Sequence, residues 1–134
     1  PKVFLLADNG YPSYAAMILF PQSAIDKDPA RVRAFVEASA AGWKSYLNGN
    51  PKPGDALILK DNPEMTQDVL DQAREKMRQY ALVEGGDAAS GGVGVMTEAR
   101  WKAFAEMAIA QGVYPQGLDY TKAYSLGFTG PAPK

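Results

Sequence analysis

The sequence predicts a helix-rich α/β fold: two short N-terminal strands followed by about four or five helices, in one domain spanning residues 1–134. Three observations carry that prediction. "VFLLA" (3–7) and "AMILF" (16–20) are short, unbroken apolar runs bounded by turn residues, the pattern of strands buried on both faces. From Pro29 to Leu47 the apolar residues recur at helical spacing. The 134 residues, 46% hydrophobic and 22% charged, have the make-up of one ordinary globular domain. A chain of this length buries about two-thirds of its unfolded surface.

The elements follow in order. Between the two runs lies "DNGYPSY" (8–14), where Gly10 supplies a positive φ and Pro12 a fixed one, so the chain turns. "PQSAIDKDP" (21–29) holds a turn or a single helical turn, and Asp28-Pro29 marks the next helix start. That helix is expected to run to about Leu47, with Val32, Phe35, Val36, Trp43 and Leu47 on its core face. Gly49, Asn50, Pro51 and Pro53 end it. "GDALILKD" (54–61) reads as a second short helix, with a strand as the alternative for so short a run, and residues 64–83 as a third helix, with Val69, Ala73, Met77 and Tyr80 in register. The acids of this third helix lie towards its start and its bases towards its end, as the helix dipole favours. "EGGDAASGGVGVM" (84–96) is a Gly-rich connection. Thr97 then reads as the N-cap of a helix to Gly112 that lines up Trp101, Phe104, Ala105, Ala108 and Ile109. "DYTKAYSL" (119–126) adds a last turn or two before the tail.

Two apolar strands alone make a marginal sheet. If both are buried on both faces, their neighbours come from elsewhere, either a preceding lobe or another copy of the chain. The polypeptide is therefore expected to be incomplete as a monomer, a homo-oligomer or one part of a longer chain.

Composition narrows the chemistry. With 14 basic and 15 acidic residues the net charge is −1, and no basic run suggests binding to nucleic acid. No apolar stretch approaches the ~20 residues of a membrane span, and the first residues lack the basic segment and cleavage pattern of a signal peptide. There is no His, the commonest general base near neutral pH, and no Cys for thiolate chemistry or zinc. No catalytic residue, metal site or cofactor is therefore expected, and the chain is not read as an enzyme. The loop 84–96 lacks the Lys-Ser/Thr of a P-loop and the strand-to-helix setting of GxGxxG. Acid pairs such as Asp68 with Asp71, or Glu64 with Asp68, fit a solvated helix face.

"DNGYPSY" is different. A turn accounts for Asp8, Asn9, Gly10 and Pro12, but not for Tyr11 and Tyr14. Strand ends face ligand crevices in α/β architectures, and Tyr offers a flat ring and a polar tip. Asp8, Asn9, Tyr11 and Tyr14 are thus the candidate ligand-binding residues, beside the plainer reading of a turn with two half-buried tyrosines.

The longer pattern resembles a known group. "DPARVRAFVEASAAGWKSYLNGNP" and "GGVGVMTEARWKAFAEMAIAQGVYPQGLDYTKAYSL", after "DNGYPSY", resemble the C-terminal portion of the NMT1/THI5-like superfamily of solute-binding proteins. Members serve ABC importers for thiamine pyrimidine precursors, for sulfonates and taurine, and for nitrate. The resemblance implies part of one lobe of a type II periplasmic binding protein fold, with "DNGYPSY" near the hinge and cleft. It also implies a periplasmic or extracellular location, a transporter permease as partner, and a small planar or anionic solute. Stacking of a pyrimidine on Tyr11 and Tyr14 favours the thiamine-precursor branch. Most of the cleft-forming lobes of that family have no counterpart in these 134 residues. The histidine and cysteine-rich motif of the family's pyrimidine-forming enzyme is absent too. The alternative is a non-catalytic helical module for structure or oligomerisation that binds no small molecule.

Overall fold

A computed structural model describes residues 2–129, and among them the chain is all helical. Six helices follow in order: α1 (Gln22–Lys27), α2 (Pro29–Asn48), α3 (Lys52–Asp61), α4 (Gln67–Gln79), α5 (Ala88–Gly91) and α6 (Glu98–Ala110). One 3-10 turn (Ala7–Asn9) precedes them and another (Tyr120–Ala123) follows.

The expected α/β class is overturned: no strand and no sheet is present among the described residues, so neither is the expected part of a type II periplasmic binding protein lobe. The reason is hydrogen bonding. A strand exists only within a ladder, and residues 15–20 make no backbone–backbone hydrogen bond among the described residues. In the first run, the Leu5 and Leu6 carbonyls are taken by the N–H groups of Asp8, Asn9 and Tyr11, which wind the chain into the 3-10 turn. Gly10 closes that turn at φ 84°, the left-handed conformation expected of it. Most apolar side chains of the two runs face outward, Phe4 77% and Leu19 92% exposed, while Leu5 and Phe20 are half-buried.

Three of the six described helices begin at side-chain caps. Asp28 Oδ1 accepts from the Arg31 N–H at 3.0 Å, and Pro29 opens α2 with the φ that a first turn needs. Thr66 caps α4 and Thr97 caps α6 through side-chain oxygens three residues ahead of the accepted N–H. The third helix was expected to reach residue 83; it stops at Gln79 because Ala81 turns left-handed at φ 48°.

The buried apolar core is thin: Val32, Leu47, Leu70, Ala105 and Ala108. Of the expected α2 face only Val32 and Leu47 are buried. Phe35 is exposed, resting edge-on against Phe20, and Trp43 is exposed against Tyr46.

With so little apolar burial, a polar network holds α2, α3 and α4 together. Asp55 on α3 is only 3% and Arg74 on α4 only 8% exposed. Arg74 Nη1 donates to both Asp55 oxygens at 2.7 Å. The Tyr46 hydroxyl of α2 donates to Asp55 Oδ1 at 2.8 Å, and Gln67 Nε2 to Oδ2 at 2.9 Å. Arg74 also pairs with Asp71, and Arg78 donates to the Leu47 carbonyl at the end of α2. A buried charge left without partners is costly, so these contacts stand or fall together.

This network sets an acid limit. The Gln67 amide, then Tyr46 and Arg74, hold the Asp55 carboxyl below its ordinary value of 3.8, against the opposing effect of burial. A lowered native value means the contribution is present above that ordinary value and is lost as pH falls through the native one. Scanning calorimetry across pH is expected to show Tm falling below pH 3.8. Asp55→Asn is expected to lower Tm near neutral pH and to shrink that acid-side fall.

Candidate functional site

The four sequence-predicted residues divide into two pairs. Asp8 and Asn9 sit in the first 3-10 turn, both exposed. Asn9 turns its amide inward to the Leu5 carbonyl at 2.8 Å, so it braces the turn. Tyr11 and Tyr14 leave the turn and land on α6. Their spacing of three residues matches that of Trp101 and Phe104 on one helical face. Tyr11 meets the Phe104 ring edge-on at 5.6 Å, and Tyr14 tilts against Trp101 at 5.9 Å.

Tyr14 is the centre of the cluster. Its hydroxyl donates to Asp87 Oδ2 at 2.6 Å and accepts from the Thr97 N–H at 2.8 Å. The Thr97 hydroxyl donates to the same Asp87 oxygen at 3.2 Å while its Oγ accepts the Arg100 N–H that caps α6. Arg100 completes the arrangement from the first turn of the helix. Its Nε and Nη2 donate to the Pro12 and Ser13 carbonyls at 2.8 and 2.9 Å, and its guanidinium lies 4.4 Å from the centre of the Tyr14 ring. An ion pair to Asp87 at 3.7 Å adds to this hold. One phenol and one guanidinium thus tie residues 12–14 to the Gly-rich connection and to the start of α6.

The aromatic surroundings extend further along the chain. Tyr124 stacks on Trp101 with ring centres 4.9 Å apart and planes 10° from parallel. Tyr114 meets Phe104 edge-on at 6.3 Å. The Trp101 indole N–H is buried and has no hydrogen-bond partner among the described residues. Ser13, Tyr14, Met17, Arg100, Trp101 and Phe104 enclose a gap with room for about one water.

These features define what the cluster does chemically. Burial first, and donation to the Asp87 carboxylate second, raise the Tyr14 phenol above its ordinary value of 10.0, so it stays protonated at neutral pH and is a poor base. No group of three or more metal-ligating side chains gathers among the described residues. The surface left open to a ligand is the exposed Tyr11 ring with the Asp8 carboxylate on the preceding turn.

Sequence reasoning singled out Tyr14 but not its partners. Asp87 and Arg100 lie 73 and 86 residues beyond it, and nothing local marks either. Thr97 was legible only as a helix cap. Trp101 was expected in the core; it is half-buried between Tyr14 and Tyr124.

In comparisons with known proteins, no family model, no curated protein and no solved structure matches the chain.

Replacing Tyr14 by Phe keeps the ring and removes the hydroxyl, leaving the Thr97 N–H and one Asp87 oxygen without this partner. The expected loss is about 1–2 kcal/mol in urea unfolding, the cost of a side-chain hydrogen bond whose partner is left unsatisfied.

Proposed function

We propose that the chain is part of the solute-binding component of an ABC importer, and that it contributes the anchored segment 8–14 to recognition of a small planar solute of the thiamine pyrimidine-precursor class. The observation that carries this reading is the clamp on Tyr14. The chain devotes a phenol, a carboxylate, a threonine and an arginine to fixing a seven-residue turn, which presents Tyr11 and Asp8 at the surface. A fixed aromatic ring loses little entropy on stacking, and a carboxylate beside it accepts from an exocyclic amine. The family resemblance of residues 28–51 and 94–119 adds the importer, its permease partner and the periplasmic or extracellular setting. No helix among the described residues is long and apolar enough to cross a membrane.

A second reading rests on a different observation. Phe4, Leu6, Met17, Ile18 and Leu19 are all exposed along the N-terminal segment. Apolar side chains gathered in this way suit a covered surface, as in a non-catalytic module that assembles with another copy or another polypeptide and binds nothing small.

Thermal unfolding separates the two. With an aminopyrimidine at 100 times its dissociation constant, the first reading expects a stabilisation of about 2.7 kcal/mol, with taurine and nitrate as comparison solutes. A Tm that ignores every solute and rises with protein concentration overturns it in favour of assembly.

A further inference from the structure

We infer that Tyr124 is a positioning residue for Tyr14, acting through Trp101, so that the segment following α6 helps to set the recognition surface formed by the segment preceding α1. The inference rests on the reading of residues 8–14 as the solute contact and extends it to a part of the chain more than a hundred residues away.

The geometry is a row of rings. Tyr14 tilts against Trp101 at 5.9 Å, and Tyr124 stacks on that same indole at 4.9 Å. Trp101 has no hydrogen bond to fix it, since its indole N–H is unpartnered among the described residues. Its orientation therefore depends on what its ring touches, and the near-parallel contact with Tyr124 is the tighter of the two. Tyr124 is in turn held in place. It directly follows the 3-10 turn Tyr120–Ala123, whose start is capped by Asp119. Asp119 Oδ1 accepts from the Thr121 N–H at 3.3 Å and the Thr121 hydroxyl at 2.5 Å, and Lys122 reaches Oδ2 at 3.3 Å. That turn packs on α6. A parallel row runs one helical turn along, where Tyr11 and Tyr114 both contact Phe104. The segments on either side of α6 thus share the same two aromatic side chains, Trp101 and Phe104.

Tyr14 reads out this support, because its hydroxyl must stay 2.8 Å from the Thr97 N–H to accept from it. A shift of Trp101 that lets the Tyr14 ring move breaks that bond and frees the amide.

The test measures hydrogen exchange at the Thr97 amide in the wild type, Tyr124→Ala and Tyr124→Phe, with α4 amides as the control for an intact fold. Tyr124→Ala is expected to speed Thr97 exchange about tenfold. Tyr124→Phe is expected to restore the wild-type rate, because the stack needs the ring and not the hydroxyl. Unchanged Thr97 exchange in Tyr124→Ala, with Trp101 emission altered to show that the stack is gone, overturns the inference. If Tyr124→Ala does not fold, Tyr124→Leu is read the same way. A titration with an aminopyrimidine distinguishes this from the receptor reading. Wild-type binding that Tyr124→Ala weakens about tenfold supports both. Wild-type binding that Tyr124→Ala leaves unchanged overturns the positioning role alone. Absent wild-type binding overturns the receptor reading, while the exchange result still decides the coupling of Tyr124 to Tyr14.

Discussion

The hydroxyl of Tyr14 joins parts of the chain that little else brings together. It donates to Asp87 and accepts from the amide of Thr97, so one atom links the N-terminal segment, the Gly-rich connection and the cap of α6. Without it the segment before α1 is held by the two carbonyls that Arg100 grips and by the ring contacts of Tyr11, Tyr14 and Phe20 with Phe104, Trp101 and Phe35. The apolar core does not substitute for it, because three of the five buried core residues, Val32, Leu47 and Leu70, lie on α2 and α4. The other two are the small Ala105 and Ala108 of α6.

The middle of the chain solves the same problem with charge. Asp55 and Arg74 are buried together, and Tyr46 and Gln67 fill the remaining bonding positions of the carboxylate. A pair like this contributes little over a well-packed apolar pair but punishes any arrangement that separates its members. It therefore specifies how α2, α3 and α4 meet more than it drives them together. Two polar nodes of similar design, one built on Tyr46 and one on Tyr14, fix the two parts of the molecule.

Some local signals are legible in the sequence. Asp28-Pro29 and Thr97 mark helix starts that the structure bears out, and Gly10 takes the left-handed turn that its position demanded. The two expected strands are absent among the described residues for a physical reason. An unbroken apolar run is the mark of a strand buried on both faces, but a strand also needs neighbours, and residues 15–20 find none among the described residues. Helical spacing likewise placed Phe35 and Trp43 on a core face that α2 covers only at Val32 and Leu47. Periodicity reports which face is apolar and is silent on what packs against it. Tyr14 was legible as a residue the turn did not need. Its partners were not, since Asp87 and Arg100 come to it only through the fold.

The Tyr14–Asp87 contact couples the N-terminal segment to the Gly-rich connection ahead of α6. A double-mutant cycle on Tyr14→Phe and Asp87→Ala, followed by urea unfolding, measures that coupling directly. The account expects an interaction energy of about 0.5–1.5 kcal/mol between the two sites. Additive effects, within about 0.3 kcal/mol, contradict it and leave the segment held by Arg100 and ring packing alone.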